Sequence, residues 1–309
     1  MSVIKNKPLV SIVIPVFNRE KFVVDAINSA LAQTYENVEV VVVDNNSTDN
    51  TWQVISSFKS PKLRAYRNET NIGPVLNWKK GIELSKGDYI KLLFSDDMIS
   101  VNFVEESLRL FDKDVAFVLS PDKIEDNGNL VEERHYSKNY YSTDDYLKKM
   151  YSCLEFPVSP GASFFRKKDI EKAFITEIPT MGELDPMKNG AGVDLLIYMV
   201  IASNYPKIAI SKNSRAIFRA HNDSFSVAGK DYIIHYYYRA MIYYLSVLDV
   251  RKYRDIFKIS MLYAAFRDSC FRVEYDLINV DSFFGVRAIC LIPFFVFQKG
   301  FNKIRRMLG

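Results

Sequence analysis

The sequence predicts an α/β fold in which a mostly parallel sheet carries helices on both faces. Over the first hundred residues, apolar runs typical of β-strands alternate with segments whose apolar residues recur at helical spacing. One of these runs, residues 38–43, is almost continuous valine, as expected for a strand buried on both sides. A chain of 309 residues is long enough to bury a full core around such a sheet.

The first half of the chain gives the clearest elements. Residues 9–17 predict the first strand, and residues 20–33 predict a helix because their apolar positions repeat every three to four residues. Ser47 or Thr48 is expected to cap the helix that carries Trp52. The other elements of this half are predicted at residues 38–43 (strand), 63–67 (strand), 74–84 (helix, opened by a proline) and 88–95 (central strand).

Beyond residue 97 the alternation loosens. Residues 126–129, with the sequence Asp-Asn-Gly-Asn, predict the turn of a β-hairpin. The other elements are expected at residues 101–111 (helix), 115–119 (strand), 163–165 (strand), 194–202 (helix), 207–210 (strand) and from residue 231 (tyrosine-rich helix). We therefore divide the chain into a domain at 1–228, with a nucleotide-binding half at 1–100 and an acceptor half at 101–228, and a helical C-terminal region at 229–309 with an amphipathic basic tail.

Charge and composition exclude several classes of protein. A hydrophobic content of 48% excludes a disordered chain, and a net charge of +4 does not favour nucleic-acid binding. The excess positive charge lies in the tail, which contains five basic residues and one acidic residue, Asp281. Because residues 283–308 combine this charge with large apolar side chains, we expect peripheral contact with an anionic membrane surface. The alternative is a final helix that packs on the protein or on a partner subunit.

The cysteines and the N-terminus indicate the compartment. Cys153, Cys270 and Cys290 are widely spaced and form no CxxC pair, which favours reduced thiols. The first eight residues lack the apolar segment of a signal peptide, and no run of about 18 apolar residues predicts a membrane-spanning helix. We expect a cytoplasmic protein at the inner face of the plasma membrane.

Two predicted strands end in acidic residues. Asp44 follows the valine run, and Asp96 and Asp97 follow the central strand. Ligands bind outside the carboxyl ends of the strands in parallel sheets, so these carboxylates predict one crevice for a nucleotide. Two adjacent carboxylates can hold Mg²⁺ or Mn²⁺ against a diphosphate. The alternative for Asp97 is a helix cap.

Four motifs occur in a fixed order along this half. They are Ser-Ile-Val-Ile-Pro-Val-Phe-Asn at residues 11–18, Asp-Asn-Asn-Ser-Thr-Asp at 44–49, Asn-Ile-Gly at 71–73 with Asn77-Trp78, and Ser-Asp-Asp at 95–97. Together they resemble the family 2 glycosyltransferases, which are inverting enzymes with a GT-A fold. The resemblance is close over the first hundred residues and looser up to His221. It implies a Rossmann-like GT-A sheet.

The resemblance also implies roles for single residues. Asp44 would accept a hydrogen bond from a pyrimidine N3–H, Asp97 would ligate the metal, and His221 would be a further metal or diphosphate contact, or only a hydrogen-bonded loop residue. Lys79 departs from the family's usual pattern, which leaves open whether it faces the diphosphate or solvent. The implied nucleotide-binding residues are Pro15, Val16, Phe17, Asn18, Asp44, Asn46, Asn71, Gly73, Lys79 and Asp96.

The second half should supply a catalytic base. The segment at residues 189–196 resembles the family segment in which a carboxylate opens a helix near the acceptor, and it implies Asp194 as the base. An inverting displacement needs one carboxylate to take the proton of the acceptor hydroxyl. Helix capping is the alternative role for Asp194. Gly161 and Ala162 resemble the acceptor-side loop, and an ordinary turn is the alternative.

The expected function is therefore metal-dependent, inverting transfer of a sugar from a nucleotide-diphosphate donor, with UDP or dTDP favoured. The acceptor would be a hydroxyl of a glycan or lipid-linked glycan in surface polysaccharide synthesis, and a homo-oligomer is left open. A sugar nucleotidyltransferase fits poorly, because no glycine follows the first strand, and a dinucleotide-binding dehydrogenase lacks GxGxxG. The rival from another class is a non-catalytic nucleotide-sugar-binding or membrane-scaffold protein.

Overall fold

A computed structural model describes residues 7–126, 128–153, 156–176, 185–221, 236–237, 240–241 and 243–245. The chain divides into two compact units, Met1–Tyr146 with Pro157–Ala240, and Leu147–Phe156 with Met241–Gly309. The described strands all belong to the first unit. The predicted boundary at residues 227–229, most of the C-terminal region and the basic tail at 283–308 lie outside the described residues.

The first half forms the parallel part of a large sheet, as predicted. Its strands lie in the order β3-β2-β1-β4, with Val10 opposite Val38 and also opposite Tyr89. The elements are β1 (Val10–Val16), α1 (Val23–Leu31), β2 (Val38–Asp44), α2 (Thr51–Ser57), β3 (Leu63–Arg67), α3 (Pro74–Leu84) and β4 (Tyr89–Leu92). Because β1, β2 and β4 run parallel, their carboxyl ends meet at one edge of the sheet.

Helices cover both faces because successive side chains of a strand point to opposite sides. Val10, Ile12, Ile14 and Val16 belong to the core that also contains the buried residues of α1. On the other side α3 packs on β1 and β2. Gly81 permits this close packing, since a Cβ at that position would lie 2.4 Å from Val13 Cγ1.

The second half extends the sheet and adds a small one. The large sheet has the order β3-β2-β1-β4-β10-β6-β11-β9, and the four-stranded sheet has the order β5-β12-β7-β8. The elements are β5 (Met98–Ile99), α4 (Phe103–Leu110), β6 (Val115–Leu119), β7 (Asp122–Asp126), β8 (Asn129–Glu133), β9 (Tyr140–Ser142), α5 (Thr143–Cys153), β10 (Ser163–Arg166), α6 (Lys167–Ala173), α7 (Val193–Ala202), β11 (Lys207–Ile210) and β12 (Ala216–Ala220), with 3-10 turns at Pro160–Ala162 and Pro186–Lys188. The strand β10 is antiparallel to both neighbours, so the sheet is mixed here.

The predicted hairpin is confirmed, because β7 and β8 pair antiparallel around it. The predicted cap of α2 is wrong. The N-cap residue is Asn50, and the hydroxyls of Ser47 and Thr48 instead bond to other residues of the sheet edge. The capping alternative for Asp97 is also wrong, since α4 begins six residues later, at Phe103, and its N-cap residue is Asn102.

No helix within the described part of the chain is both long enough and apolar enough to cross a membrane.

A buried ionic network closes the amino ends of the parallel strands. The Glu39 carboxylate accepts hydrogen bonds from Ser11 Oγ at 2.6 Å, from the Lys86 N–H at 2.5 Å and from Arg64 at 2.6 Å. Burial alone would raise the pKa of Glu39, but these hydrogen bonds and the guanidinium charge outweigh it and lower that pKa. The network ties together the starts of β1, β2 and β3, at the end of these strands opposite to Asp44 and Asp97.

Candidate active site

The loops that follow β1 and β2 are bonded to each other at the carboxyl edge of the sheet. The Asn18 N–H donates to Ser47 Oγ at 2.9 Å, and the Thr48 N–H donates to Asn18 Oδ1 at 2.9 Å. Asn18 and Asn46 both adopt positive φ, at 52° and 62°, a conformation that asparagine tolerates better than most residues. The neighbouring Phe17 is 39% exposed at this edge. This is the edge where the sequence predicted a nucleotide.

Asp44 is completely buried at the end of β2. Its carboxylate accepts from the Ser47 N–H at 3.2 Å and from the Ser47 hydroxyl, and it forms an ion pair with Arg67 Nε at 3.1 Å. These partners give Asp44 a structural role in the loop. Its predicted contact with a pyrimidine base remains a prediction.

An uncharged network of four asparagines joins the end of β2 to the start of α3. Asn45 Nδ2 donates to Asn71 Oδ1 at 2.8 Å, and Asn68 Nδ2 donates to both Asn45 Oδ1 and Asn77 Oδ1 at 2.9 Å. Asn71 Oδ1 also accepts from the Gly73 N–H at 2.9 Å, so the predicted Asn71–Gly73 motif is held rigidly at this edge. The motifs implied no role for Asn45, and none of them includes Asn68.

The acidic pair after β4 is held by residues from distant parts of the chain. The Arg219 N–H donates to Asp97 Oδ1 at 3.1 Å, and Arg219 Nε donates to the Asp96 carbonyl. Asp96 Oδ2 lies 3.1 Å from His221 Nε2 and 3.4 Å from Arg19 Nε. The structure thus brings together Asp96, Asp97 and His221, as the sequence predicted, and adds Arg19 and Arg219.

Burial, together with the neighbouring Asp96 charge, raises the pKa of Asp97 well above its usual value. Beneath the pair lies Lys91, which is fully buried on β4, and burial lowers its pKa to about 7. A lysine inside an otherwise apolar strand is the sequence signal for this buried amine, and the four motifs do not include it.

The predicted acceptor loop is closely packed. Lys91 Nζ donates to the Gly161 carbonyl, and the Tyr198 hydroxyl donates to the Ser159 carbonyl at 2.7 Å. Gly161 and Ala162 are both buried, and a Cβ on Gly161 would lie 3.1 Å from Phe218 and 3.2 Å from Phe94. The absent side chain of Gly161 therefore makes room for these two rings, and its predicted contact with substrate remains a prediction.

Asp194 lies in the first turn of α7, behind a glycine-rich loop. Its Oδ1 accepts from the Gly192 N–H at 2.8 Å and the Leu195 N–H at 2.7 Å, and its Oδ2 accepts from the Tyr237 hydroxyl at 3.3 Å. Burial raises the pKa of Asp194 to about 7, although each of these hydrogen bonds acts to lower it. A carboxylate with such a pKa can take up and release a proton near neutral pH, as a general base must.

Trp78 joins the Asp194 loop to the strand that leads to the acidic pair. Its ring lies 5.3 Å from that of Phe94, and a Cβ on Gly190, which has φ 85°, would lie 2.0 Å from Trp78 Cη2. The next residue, Lys79, is half-buried on α3. Pro15 and Val16 are buried at the end of β1, with Val16 opposite Asp44, and their predicted contact with a nucleotide remains a prediction.

A divalent cation fits the chemistry of the acidic edge. Asp96 and Asp97 offer hard oxygen donors and His221 offers an imidazole nitrogen, while burial, and then the Asp96 charge, raise the pKa of Asp97. Within the described residues no cluster of three or more ligating side chains occurs. Mg²⁺ is usually bound by one or two carboxylates together with substrate phosphates, and Asp96 and Asp97 match that share of the ligands.

Solved structures with the same architecture include that of S. aureus TarS, residues 1–349, in complex with UDP. The TM-score is 0.54 at 21% identity, and the alignment covers 77% of this chain and 72% of the other. Together with the other TarS structure of the same segment, this likeness confirms the predicted α/β fold of the GT-A type.

Curated relatives match the N-terminal part of the chain. Glycosyltransferase GlyG of Streptococcus pneumoniae is 34% identical over 99 residues, covering 31% of this chain and 33% of GlyG. The Escherichia coli UDP-Glc:alpha-D-GlcNAc-diphosphoundecaprenol beta-1,3-glucosyltransferase WfaP is 30% identical over 109 residues, covering 35% of this chain and 43% of WfaP. The chain thus spans well under half the length of these relatives.

The family model for glycosyl transferase family 2 matches residues 11–174, more than half of the chain. The predicted family is therefore confirmed, and the chain belongs to glycosyl transferase family 2.

Proposed function

We propose that the protein is a metal-dependent, inverting glycosyltransferase that uses a UDP-sugar donor. The observation that carries this proposal is the Asp96-Asp97 pair at the end of the central strand, joined there by His221 and Arg219. UDP is favoured over dTDP because TarS was solved with UDP and WfaP is named for a UDP-glucose donor. WfaP is also named for a lipid-diphosphate acceptor, which favours a lipid-linked glycan as the acceptor and a role in surface polysaccharide synthesis.

In this proposal each part of the edge has a separate task. Phe17, Asn18, Asn46, Asn71 and Gly73 line the nucleotide site, and Asp96 contacts the ribose or diphosphate. Asp97, with His221 close by, would hold Mg²⁺ or Mn²⁺. The cation would offset the negative charge that develops on the leaving diphosphate.

Asp194 is the proposed catalytic base. It takes the proton of the acceptor hydroxyl while that oxygen forms a bond to the anomeric carbon. On the opposite side of that carbon the bond to the diphosphate oxygen breaks, and UDP leaves with the bonding electrons. The configuration at the anomeric carbon is therefore inverted. The buried carboxylate, with a pKa near 7, is suited to this transfer.

The first test is a thermal-shift panel of UDP, GDP, CDP and dTDP, each with Mn²⁺ and with EDTA. A ligand that binds the native state raises the melting temperature, so we expect a clear rise for UDP with Mn²⁺ and a much smaller rise with EDTA. The Asp97→Asn variant should lose the difference between Mn²⁺ and EDTA.

The matched control is Asp126→Asn, which alters an exposed carboxylate at the end of β7 and should behave as the wild type. A larger shift with GDP or CDP would overturn the proposed donor. A UDP shift without any release of UDP from UDP-glucose or UDP-N-acetylglucosamine would favour a non-catalytic nucleotide-sugar-binding protein.

A further inference from the structure

The proposed base is in contact with a residue from a segment that the motifs do not reach. Tyr237 lies in a helical segment more than forty positions after Asp194, and its hydroxyl donates to Asp194 Oδ2 at 3.3 Å. Both side chains are buried. At 3.3 Å this is a long hydrogen bond, but a phenol that donates to a buried carboxylate still favours the ionised form of the acid.

The two oxygens of Asp194 have different surroundings. Oδ1 accepts from two backbone N–H groups, those of Gly192 and Leu195, which are fixed by the start of α7. Oδ2 accepts only from the Tyr237 hydroxyl among the hydrogen bonds of the described residues. A carboxylate oxygen can accept about two hydrogen bonds. We take Oδ2 as the oxygen that receives the substrate proton, and Tyr237 is the described side chain that orients it.

The backbone brings the segment of Tyr237 close to the loop of Asp194. Gly192, the N-cap residue of α7, has φ 90°, and a Cβ there would lie 3.0 Å from the Tyr236 carbonyl oxygen and 3.3 Å from Ala240 Cβ. Only a residue without a side chain allows this approach. Among the residues that the structure describes, the titratable groups that face Asp194 are the phenols of Tyr237 and of Tyr198 on its own helix.

We propose that Tyr237 is a positioning residue for the reaction: its hydroxyl holds Asp194 Oδ2 in place and favours the ionised carboxylate that accepts the substrate proton. This inference rests on the proposed function of Asp194 as the base. A hydrogen bond to the charged form of an acid stabilises that form, so losing it shifts the protonation equilibrium toward the neutral acid.

The test is the pH profile of Tyr237→Phe, measured as release of UDP from UDP-glucose or UDP-N-acetylglucosamine with Mn²⁺ and with water as the acceptor. Removing the hydroxyl should move the acidic limb of the kcat profile upward by about one pH unit. Activity should then fall about tenfold relative to the wild type at pH 6 and stay within about twofold at pH 9. The matched control is Tyr236→Phe, which removes a neighbouring buried phenol and should leave the limb unchanged.

A second measurement needs no substrate. Asp194 makes the free energy of unfolding depend on pH. In Tyr237→Phe this dependence should continue to a higher pH than in the wild type. A variant that unfolds more easily but keeps the wild-type pH profile and the wild-type pH dependence of stability would overturn the inference and leave Tyr237 a packing residue. A different result would overturn the proposed function, namely wild-type turnover of Asp194→Asn. The stability measurement does not depend on turnover, so it tests the interaction of Tyr237 with Asp194 independently.

Discussion

Two buried carboxylates, Glu39 at the amino end of the parallel strands and Asp194 on the other side of the sheet edge, have opposite electrostatic surroundings. Both residues are only 8% exposed. Glu39 has a guanidinium partner, Arg64, and its pKa is lowered. Asp194 has hydrogen-bond donors but no cationic partner among them, and burial raises its pKa to about 7.

This difference in pKa indicates that Glu39 contributes to stability, whereas Asp194 is suited to a functional role. A buried carboxylate with a lowered pKa stabilises the fold when ionised, whereas one with a raised pKa makes the fold less stable when it ionises. Side chains of the second kind are candidates for catalytic roles, since their proton affinity is matched to neutral pH. The comparison predicts that amide substitutions at the two positions have opposite consequences.

The largest expected effect is the loss of turnover in Asp194→Asn. The amide keeps the shape of the side chain but cannot accept a proton, so release of UDP from a UDP-sugar should fall about a thousandfold. The thermal shift caused by UDP with Mn²⁺ should remain close to that of the wild type. If this variant kept near wild-type turnover, another group would have to be the base.

Glu39→Gln should have the reverse outcome. It removes the charge that pairs with Arg64 while keeping acceptors for Ser11 and Lys86, so we expect a loss of about 1 to 2 kcal/mol in the free energy of unfolding. Turnover per folded molecule should be unchanged. Urea denaturation and the UDP-release assay measure these two quantities. A drop in turnover without a loss of stability would contradict the division between the two ends.

The sequence predicted the first half of the fold well because local patterns determine it. The valine run of β2 and the proline at the start of α3 each identify an element from a few neighbouring residues. Short elements such as β5, with two residues, and β9, with three, were not predicted, because they exist only through pairing with distant strands.

The same limit applies to the site. The motifs predicted roles for Asp96, Asp97 and Asp194, since their positions relative to glycines and strand ends are local features. Tyr237 and Asn68 were missed because their roles depend on hydrogen bonds to residues far along the chain or across the sheet edge. Asp44 was identified as a site residue, but its bonds to Ser47 and Arg67 appear only in three dimensions.

A smaller effect concerns the pH dependence of stability. The folded pKa of Asp194, about 7, lies above its ordinary value of 3.8, so between these values the folded state holds a proton that the unfolded state lacks. The contribution of Asp194 is fully present below the ordinary value and is lost as pH rises through 7. Between pH 6 and pH 8 the wild type should therefore lose about 1 kcal/mol of unfolding free energy relative to Asp194→Asn. A constant difference between the wild type and Asp194→Asn across this range would show that the folded and unfolded states do not differ in proton binding at Asp194.

The smallest expected effect comes from an ion pair at the surface. Lys7 and Glu36 form an ion pair at 3.2 Å, about as close as that of Asp44 with Arg67, but 64% and 82% of their side chains are exposed. Water and salt screen exposed charges, so Glu36→Gln should change the free energy of unfolding by less than about 0.5 kcal/mol. Urea denaturation of Glu36→Gln and of Glu39→Gln, compared side by side, distinguishes the effect of forming an ion pair from the effect of burying it. An equal loss in both would mean that the ion pair itself, and not its burial, determines the stability of the amino end.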